Sequence, residues 1–168
     1  IFIEDYLSLE REYYVYIDAD IICHKDPTPA FVSNLTDLES TGYVISVKTE
    51  HNRSDNTQEM FDRLSMSGDC YFNAGVMIIN YKKWKKDNLT KKLITKMKSL
   101  SSKIVFWDQD VLNSYFDSAY LELDNNLNYN LYLTEENSKK KILKRAVNEM
   151  LLIHYSGSFK PWTVRGAY

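Results

Sequence analysis

The chain has 168 residues, which suits one domain of ordinary size, and its 44% hydrophobic and 26% charged residues exclude an intrinsically disordered protein. A formal net charge of −2 gives no general attraction to nucleic acid. No apolar run approaches the length of about 18 residues that would predict a transmembrane helix. The two cysteines have no metal-ligand spacing and favour free thiols in a reducing compartment, so we expect a cytoplasmic protein.

The first predicted strand ends in a pair of acids. Residues 13–17 are β-branched or aromatic, which predicts a strand buried on both faces. Asp18-Ala19-Asp20 follows directly, and the proline-containing segment 26–29 predicts a turn. Ligands of open α/β sheets bind beyond the carboxyl ends of the strands, and paired carboxylates suit Mg²⁺ or Mn²⁺. The small Ala19 would let a ribose or phosphate approach the backbone. The alternative is that the two acids only end the strand in a turn.

The rest of the chain alternates predicted strands with predicted helices. Apolar runs indicate strands at 43–47, 76–80, 119–123 and 151–155, and residues 51–55 are typical of a polar loop. Helical periodicity indicates an amphipathic helix from 81 to about 100, a short helix at 108–116 and a turn or two at 139–147. This alternation predicts an α/β layered fold.

Two polar segments in the middle of the chain could line a cleft. Asn73 and Gly75 come just before the strand predicted at 76–80, and an amide suits sugar hydroxyls, although Asn and Gly also form turns before strands. Asp108 and Gln109 open the short helix and could face a cleft. For Asp110 the better interpretation is an N-cap whose charge complements the helix dipole.

A third group of candidates follows the last predicted strand. His154 ends that strand, and imidazole is a good third ligand for Mn²⁺. Gly157 would let a phosphate approach the backbone, and Lys160 could reach it as a point charge. The alternative for His154 is a hydrogen-bonded residue of the core or its rim.

Four segments occur together in a characteristic order. They are strand-Asp-Ala-Asp, Phe-Asn-Ala-Gly-Val-Met-Ile-Ile-Asn with a Lys-Lys-Trp helix, Asp-Gln-Asp-Val-Leu-Asn, and His-Tyr-Ser-Gly-x-x-Lys-Pro-Trp. Together they resemble glycosyltransferase family 8, which includes bacterial lipopolysaccharide galactosyl- and glucosyltransferases and glycogenin. The resemblance covers residues 13–162. It implies a GT-A fold, with a mixed sheet flanked by helices.

The resemblance also implies an activity. It is metal-dependent transfer of glucose or galactose, with retention, from UDP-glucose or UDP-galactose to a saccharide acceptor in lipopolysaccharide or cell-surface glycan synthesis. Asp18, Asp20 and His154 would bind the Mn²⁺ or Mg²⁺. The other residues implied to bind the donor or its sugar are Ala19, Asn73, Ala74, Gly75, Asp108, Gln109, Gly157 and Lys160. Asp108 and Gln109 are the catalytic candidates, and both front-face attack and double displacement stay open.

One departure from the family pattern shapes our expectations. Only twelve residues precede Tyr13, whereas family members carry further strands that hold the nucleotide. We therefore expect residues 1–168 to form one partial, amino-terminally truncated catalytic domain, which could self-associate or contact the inner membrane face peripherally. The alternatives are a non-catalytic carbohydrate-binding or truncated fragment and an aspartate-nucleophile phosphatase. The phosphatase would leave the Asn73 and His154 segments unexplained.

Overall fold

The computed structural model describes residues 10–50, 57–131, 148–157 and 160–163, and it has the predicted α/β architecture. The strands are β1 (Tyr13–Ile17), β2 (Ile21–Cys23), β3 (Ile45–Thr49), β4 (Phe72–Asn80), β5 (Leu121–Glu122), β6 (Tyr129–Asn130) and β7 (Leu152–His154). The helices are α1 (Thr28–Thr41), α2 (Thr57–Leu64), α3 (Tyr81–Lys86), α4 (Leu89–Leu100) and α5 (Trp107–Phe116), with a 3-10 turn at Ser101–Lys103.

The strands form two sheets. The main sheet has the order β1-β4-β3-β5, and the small sheet has the order β2-β7-β6. Each sheet is mixed: β3 pairs parallel with β5 and β6 pairs parallel with β7, whereas the other pairs are antiparallel. The prediction of a mixed sheet flanked by helices is confirmed. The segment Asp18-Ala19-Asp20 is the connection by which the chain leaves the main sheet and enters the small one.

Two hydrophobic cores cover the two faces of the main sheet. The first is shared with α2 to α5, and the second is shared with α1 and the small sheet. Successive β4 side chains alternate between them: Met77 joins the first core, whereas Val76 and Ile78 join the second. Leu38 of α1 and Leu152 of β7 close the second core, and each buried side chain of this size contributes about 1.5–3 kcal/mol. This packing attaches the small sheet to the main one.

The prediction that β1 is buried on both faces is wrong. Val15 and Ile17 are 41% and 42% exposed, while Tyr14 and Tyr16 pack against the first core. Within the described residues β1 pairs with β4 alone, so it lies at an edge of the main sheet.

Strand β4 is longer than predicted. It begins at Phe72 rather than Val76, so Asn73 and Gly75 lie inside a buried strand and not in a turn before it. Its pairing with β3 shifts in register at Val47 and Lys48, where Val47 faces Met77 but Lys48 faces Asn73. This irregularity resembles a β-bulge, which changes the direction of nearby side chains.

Other boundaries also differ from the predictions. The predicted helix from 81 to 100 is two helices, separated where Asn88 adopts a φ of 52°. The proline-containing segment 26–29 begins α1, because proline is tolerated in the first helical turn. The strand predicted at 43–47 occupies 45–49, and the strand predicted at 119–123 has two residues. Helices α1 and α2 and strands β2 and β6 were not predicted. The predicted loop at 51–55 and the helix turn at 139–147 lie outside the described residues.

Among the described residues, none of the helices combines the length and apolar character needed to cross a bilayer.

Candidate functional site

Backbone hydrogen bonds to both sheets hold Asp18 and Asp20 in place. The Asp18 amide donates to the Gly75 carbonyl of β4 at 2.8 Å, and the Asp20 carbonyl accepts from the Tyr155 amide at 3.1 Å. The Tyr16 hydroxyl donates to Asp18 Oδ1 at 2.6 Å. The acidic segment is therefore held at the junction of the two sheets.

His154 reaches these acids from the neighbouring strand. It ends β7, pairs with Ile21 of β2, and is buried, with 4% of its surface exposed. Its Nε2 lies 3.3 Å from Asp20 Oδ1 and 3.9 Å from Asp18 Oδ2. One ligand atom from each of the three residues lies within 4.8 Å of the other two. The structure thus brings together the three residues that were predicted to bind metal.

The cluster fits a divalent cation. Two carboxylates and an imidazole form a ligand set that Mn²⁺ and Mg²⁺ accept. Neighbouring ligands about 2.1 Å from an octahedral ion lie about 3 Å apart, close to the separation of the His154 and Asp20 atoms. Burial lowers the pKa of His154 and outweighs the opposing effect of Asp20 and Asp18. The ring is therefore neutral at neutral pH, as a metal ligand must be.

Gly75 makes room for the imidazole. A Cβ at this position would contact His154 Cε1 and would lie 2.6 Å from Nδ1 and 2.9 Å from Asn73 Oδ1. No side chain fits there without displacing the ring. The absence of a side chain at Gly75 therefore serves close packing, because no positive φ is required at this position.

Lys160 lies on the other side of Asp20. Its Nζ donates to Asp20 Oδ2 at 2.6 Å and also contacts the Tyr155 carbonyl. Partial burial opposes ionisation of Asp20, but the hydrogen bond from Lys160 and the charge of its ammonium hold the pKa of this carboxyl below its usual value. Gly157, which lies between Tyr155 and Lys160 in the sequence, has a φ of 95° that favours glycine. The proposed contacts of Lys160 and Gly157 with a diphosphate stay predictions.

Gln109 is oriented by two hydrogen bonds. Its Oε1 accepts from the Ala74 amide at 2.9 Å, and its Nε2 donates to the Tyr71 hydroxyl at 3.3 Å. Gln109 is half-buried. Its bond to Ala74 places it against the part of β4 that carries Asn73 and Gly75. Its neighbour Asp108 is exposed.

The prediction that Asp110 is an N-cap is wrong, because the N-cap of α5 is Phe106, although Asp110 does lie in the first turn, where its charge complements the helix dipole. Asp110 is fully buried, and its carboxylate accepts from the amides of Val105 and Phe106 at 2.7 and 3.0 Å. It also accepts from Arg63 at 2.9 Å and from the Tyr71 hydroxyl at 2.7 Å. Burial opposes its ionisation, but the Arg63 bond and the other donors together lower its pKa. Asp110 thus holds Tyr71, which in turn contacts Gln109.

Comparison with known proteins identifies the family. The family model described as glycosyl transferase family 8 matches residues 1–165. The chain belongs to glycosyltransferase family 8. It is 31% identical to the lipopolysaccharide 1,3-galactosyltransferase of Salmonella typhimurium strain LT2, over 99% of the chain and 49% of that relative. It is also 31% identical to a lipopolysaccharide 1,2-glucosyltransferase of Escherichia coli, over 94% of the chain and 47% of that relative. The chain spans about half the length of the curated relatives it matches.

A solved structure supports the same fold. The galactosyltransferase LgtC, in complex with donor and acceptor sugar analogs, superimposes with a TM-score of 0.70 at 22% identity. The match covers 97% of this chain and 59% of LgtC. The predicted GT-A fold is thereby confirmed for this family 8 chain.

Several residues around the site were missed by sequence reasoning. Asn128 lies 3.1 Å from His154 Nδ1, and Tyr71 and Arg63 support the Gln109 region through Asp110. Asn128 belongs to a polar stretch with four asparagines between 125 and 130, which indicates a turn in isolation. Only the folded structure, in which β6 lies beside β7, shows that the Asn128 amide faces the candidate metal ligand His154.

Proposed function

We propose that this family 8 chain carries the metal, donor-sugar and acceptor sites of a retaining hexosyltransferase. Residues 1–168 then form one partial catalytic domain. The reaction moves glucose or galactose from a UDP-sugar to a saccharide acceptor. The proposal rests on the convergence of Asp18, Asp20 and His154 at the junction of the two sheets.

The proposed chemistry follows from where charge develops. As the bond between the sugar and the diphosphate breaks, negative charge accumulates on the leaving diphosphate. A divalent ion held by Asp18, Asp20 and His154 would offset that charge. Lys160 lies beside Asp20, where its ammonium can exchange the carboxylate for a phosphate oxygen.

Gln109 is best suited to orient the reacting sugar. Its carbonyl already accepts from the Ala74 amide, and an amide is a poor nucleophile. These facts favour front-face attack by the acceptor hydroxyl over a covalent intermediate on Gln109. Asp108 is exposed next to it and is available to the donor sugar.

The relatives suggest the substrates. Those we compared carry the names lipopolysaccharide 1,3-galactosyltransferase and 1,2-glucosyltransferase, which supports UDP-galactose or UDP-glucose as the donor and a lipopolysaccharide-like saccharide as the acceptor. Peripheral membrane contact through the exposed lysines of α3 and α4 belongs to the same proposal, and sedimentation with anionic vesicles measures it.

Calorimetric titration tests the metal site directly. The chain is titrated with Mn²⁺ alone and then with UDP in the presence of Mn²⁺, and release of hexose from UDP-glucose and UDP-galactose is measured in parallel. We expect Mn²⁺ binding that Asp20→Ala abolishes. Asp37→Ala, which removes an exposed acid on α1, is the matched control and should bind normally.

The outcomes separate the alternatives. Mn²⁺ binding that survives Asp20→Ala would remove the assigned metal site. Mn²⁺ binding without UDP binding or hexose release would favour a fragment whose activity requires further sequence.

A further inference from the structure

Three side chains behind His154 continue from it in a line of hydrogen bonds. Asn73 Nδ2 donates to Glu50 Oε1 at 2.9 Å, and Asn128 Nδ2 donates to Asn73 Oδ1 at 2.9 Å. Asn128 Oδ1 then lies 3.1 Å from His154 Nδ1. Asn73, Asn128 and His154 are all buried, with 7%, 3% and 4% of their surfaces exposed.

The direction of this line is fixed at one end by the backbone. The Gly75 amide can only donate, and it lies 2.9 Å from Asn73. The Asn73 atom facing it must therefore be the carbonyl oxygen, which leaves Asn73 Nδ2 to donate to the Glu50 carboxylate. Because Asn73 Oδ1 is an acceptor, the Asn128 atom beside it must be the donor Nδ2.

The same logic fixes the proton on the imidazole. With Nδ2 committed to Asn73, Asn128 presents its carbonyl oxygen to His154. The neutral ring can satisfy that oxygen only if Nδ1 carries the proton. The lone pair then lies on Nε2, the atom that is 3.3 Å from Asp20 and 3.9 Å from Asp18.

The two ring nitrogens differ in the free-energy cost of facing an acceptor without carrying the proton. With the opposite tautomer, Nδ1 would face the buried Asn128 oxygen as a second acceptor, and such an unsatisfied buried group costs about 1–3 kcal/mol. At Nε2 the neighbouring carboxylates are partly exposed, and Lys160 offsets the charge of Asp20. A lone pair is therefore tolerated on the acidic side and not on the buried side.

We propose that Asn128 is a positioning residue that sets the tautomer of His154 and aims its Nε2 lone pair at the cation site. The inference rests on the proposed metal-binding function for its purpose, but the tautomer is a property of the metal-free chain. Asn73, Gly75 and Glu50 act through Asn128 by fixing the direction of its amide.

The first experiment measures the tautomer without metal. Two-dimensional ¹H–¹⁵N spectra of the imidazoles are recorded on chelator-treated chain at a pH where His154 is neutral, with His154→Gln to assign its signals. We expect a protonated Nδ1 and an unprotonated Nε2. Asn128→Leu, which removes the acceptor, should move the proton to Nε2. Asn128→Asp loses the bond to Asn73 but keeps an oxygen beside Nδ1, so it should retain the original tautomer.

A matched control separates this effect from loss of any buried amide. Asn34→Leu removes a buried asparagine whose hydrogen bonds go to Ala30 and Asp124, and it should leave the His154 tautomer unchanged. A wild-type His154 protonated on Nε2 would overturn the proposal, and this measurement stands even if Asn128→Leu does not fold. Retention of the Nδ1 proton in a folded Asn128→Leu chain would also overturn it.

The second experiment measures Mn²⁺ affinity by the electron paramagnetic resonance of the free ion. We expect Asn128→Leu to raise the Kd by about 10- to 100-fold, the usual effect of losing a partner behind a metal-bound histidine. Asn128→Asp, which keeps the acceptor at Nδ1, should lose less affinity than Asn128→Leu. An unchanged Kd in Asn128→Leu would contradict the positioning role. If wild-type chain shows the expected tautomer but binds no Mn²⁺, the proposed function fails while the tautomer assignment stands.

Discussion

Replacing Gly75 with alanine should damage the candidate metal site through a single methyl group. The new Cβ would lie 2.6 Å from His154 Nδ1 and closer still to Cε1, whereas ordinary contact begins at 3.4 Å, so the ring must retreat by about 1 Å. Metal–ligand distances tolerate only about 0.2 Å. We therefore expect Gly75→Ala to raise the Kd for Mn²⁺ at least about tenfold.

The same clash should destabilise the fold. Overpacking of a buried site costs about 1–3 kcal/mol, which urea unfolding of the metal-free chain can measure. In a His154→Ala background the methyl group meets no ring, so at least half of this cost should disappear in a double-mutant cycle. Unchanged Mn²⁺ affinity, or equal destabilisation in both backgrounds, would refute the assigned packing of the imidazole on β4.

Two further substitutions test charges near the site. Asp110→Asn should lower the free energy of unfolding by about 3 kcal/mol, because it leaves Arg63 without its buried partner, and a loss below about 1 kcal/mol would contradict this. Since the folded-state pKa of Asp110 is lowered, its stabilisation is complete above about pH 3.9 and is lost as the pH falls through the folded pKa, so urea unfolding of the variant should show a shallower acid dependence. Lys160→Met should tighten Mn²⁺ binding about 30-fold in calorimetry without nucleotide, the effect on a doubly charged ion of one unit charge about 4 Å away in a water-like dielectric, and weaken UDP binding when Mn²⁺ is present. If Lys160→Met changed the Mn²⁺ affinity and the UDP affinity in the same direction and by the same factor, a phosphate-binding role for Lys160 would be excluded.

The residues that converge on the cation site could be predicted because each follows an apolar strand. Asp18 comes directly after β1, and His154 is the last residue of β7. That position marks each residue as a candidate ligand, but β1 and β7 belong to different sheets, so the family resemblance was needed to predict that they share one ion. The match of four ordered segments to one family then predicted the fold.

The strand that carries the site was harder to predict. Asn73 and Gly75 have low strand propensity and indicate a turn by themselves, yet pairing with β3 extends β4 back to Phe72. Strand propensity is weak compared with such tertiary pairing.

Hydrogen-bond partners that are distant in the sequence could not be predicted either. Asp110 and Arg63 are 47 positions apart, and Asn73 and Asn128 are 55 apart. A single sequence contains no local pattern that pairs them. Buried polar side chains must find partners, but which partner each finds is decided by packing.

The chain crosses from one sheet to the other at Asp18-Ala19-Asp20, and this has a consequence for folding. Lys160 and Asp20, which meet there, are 140 positions apart, and His154 arrives only with the last described strand. A cation bound at this crossing would act as a clip that closes nearly the whole chain into one loop. At a hundred times its Kd it would favour the folded form by about 2.7 kcal/mol. Metal affinity would then report whether β7 has docked, and a nascent chain would acquire its cation only after His154 has been synthesised.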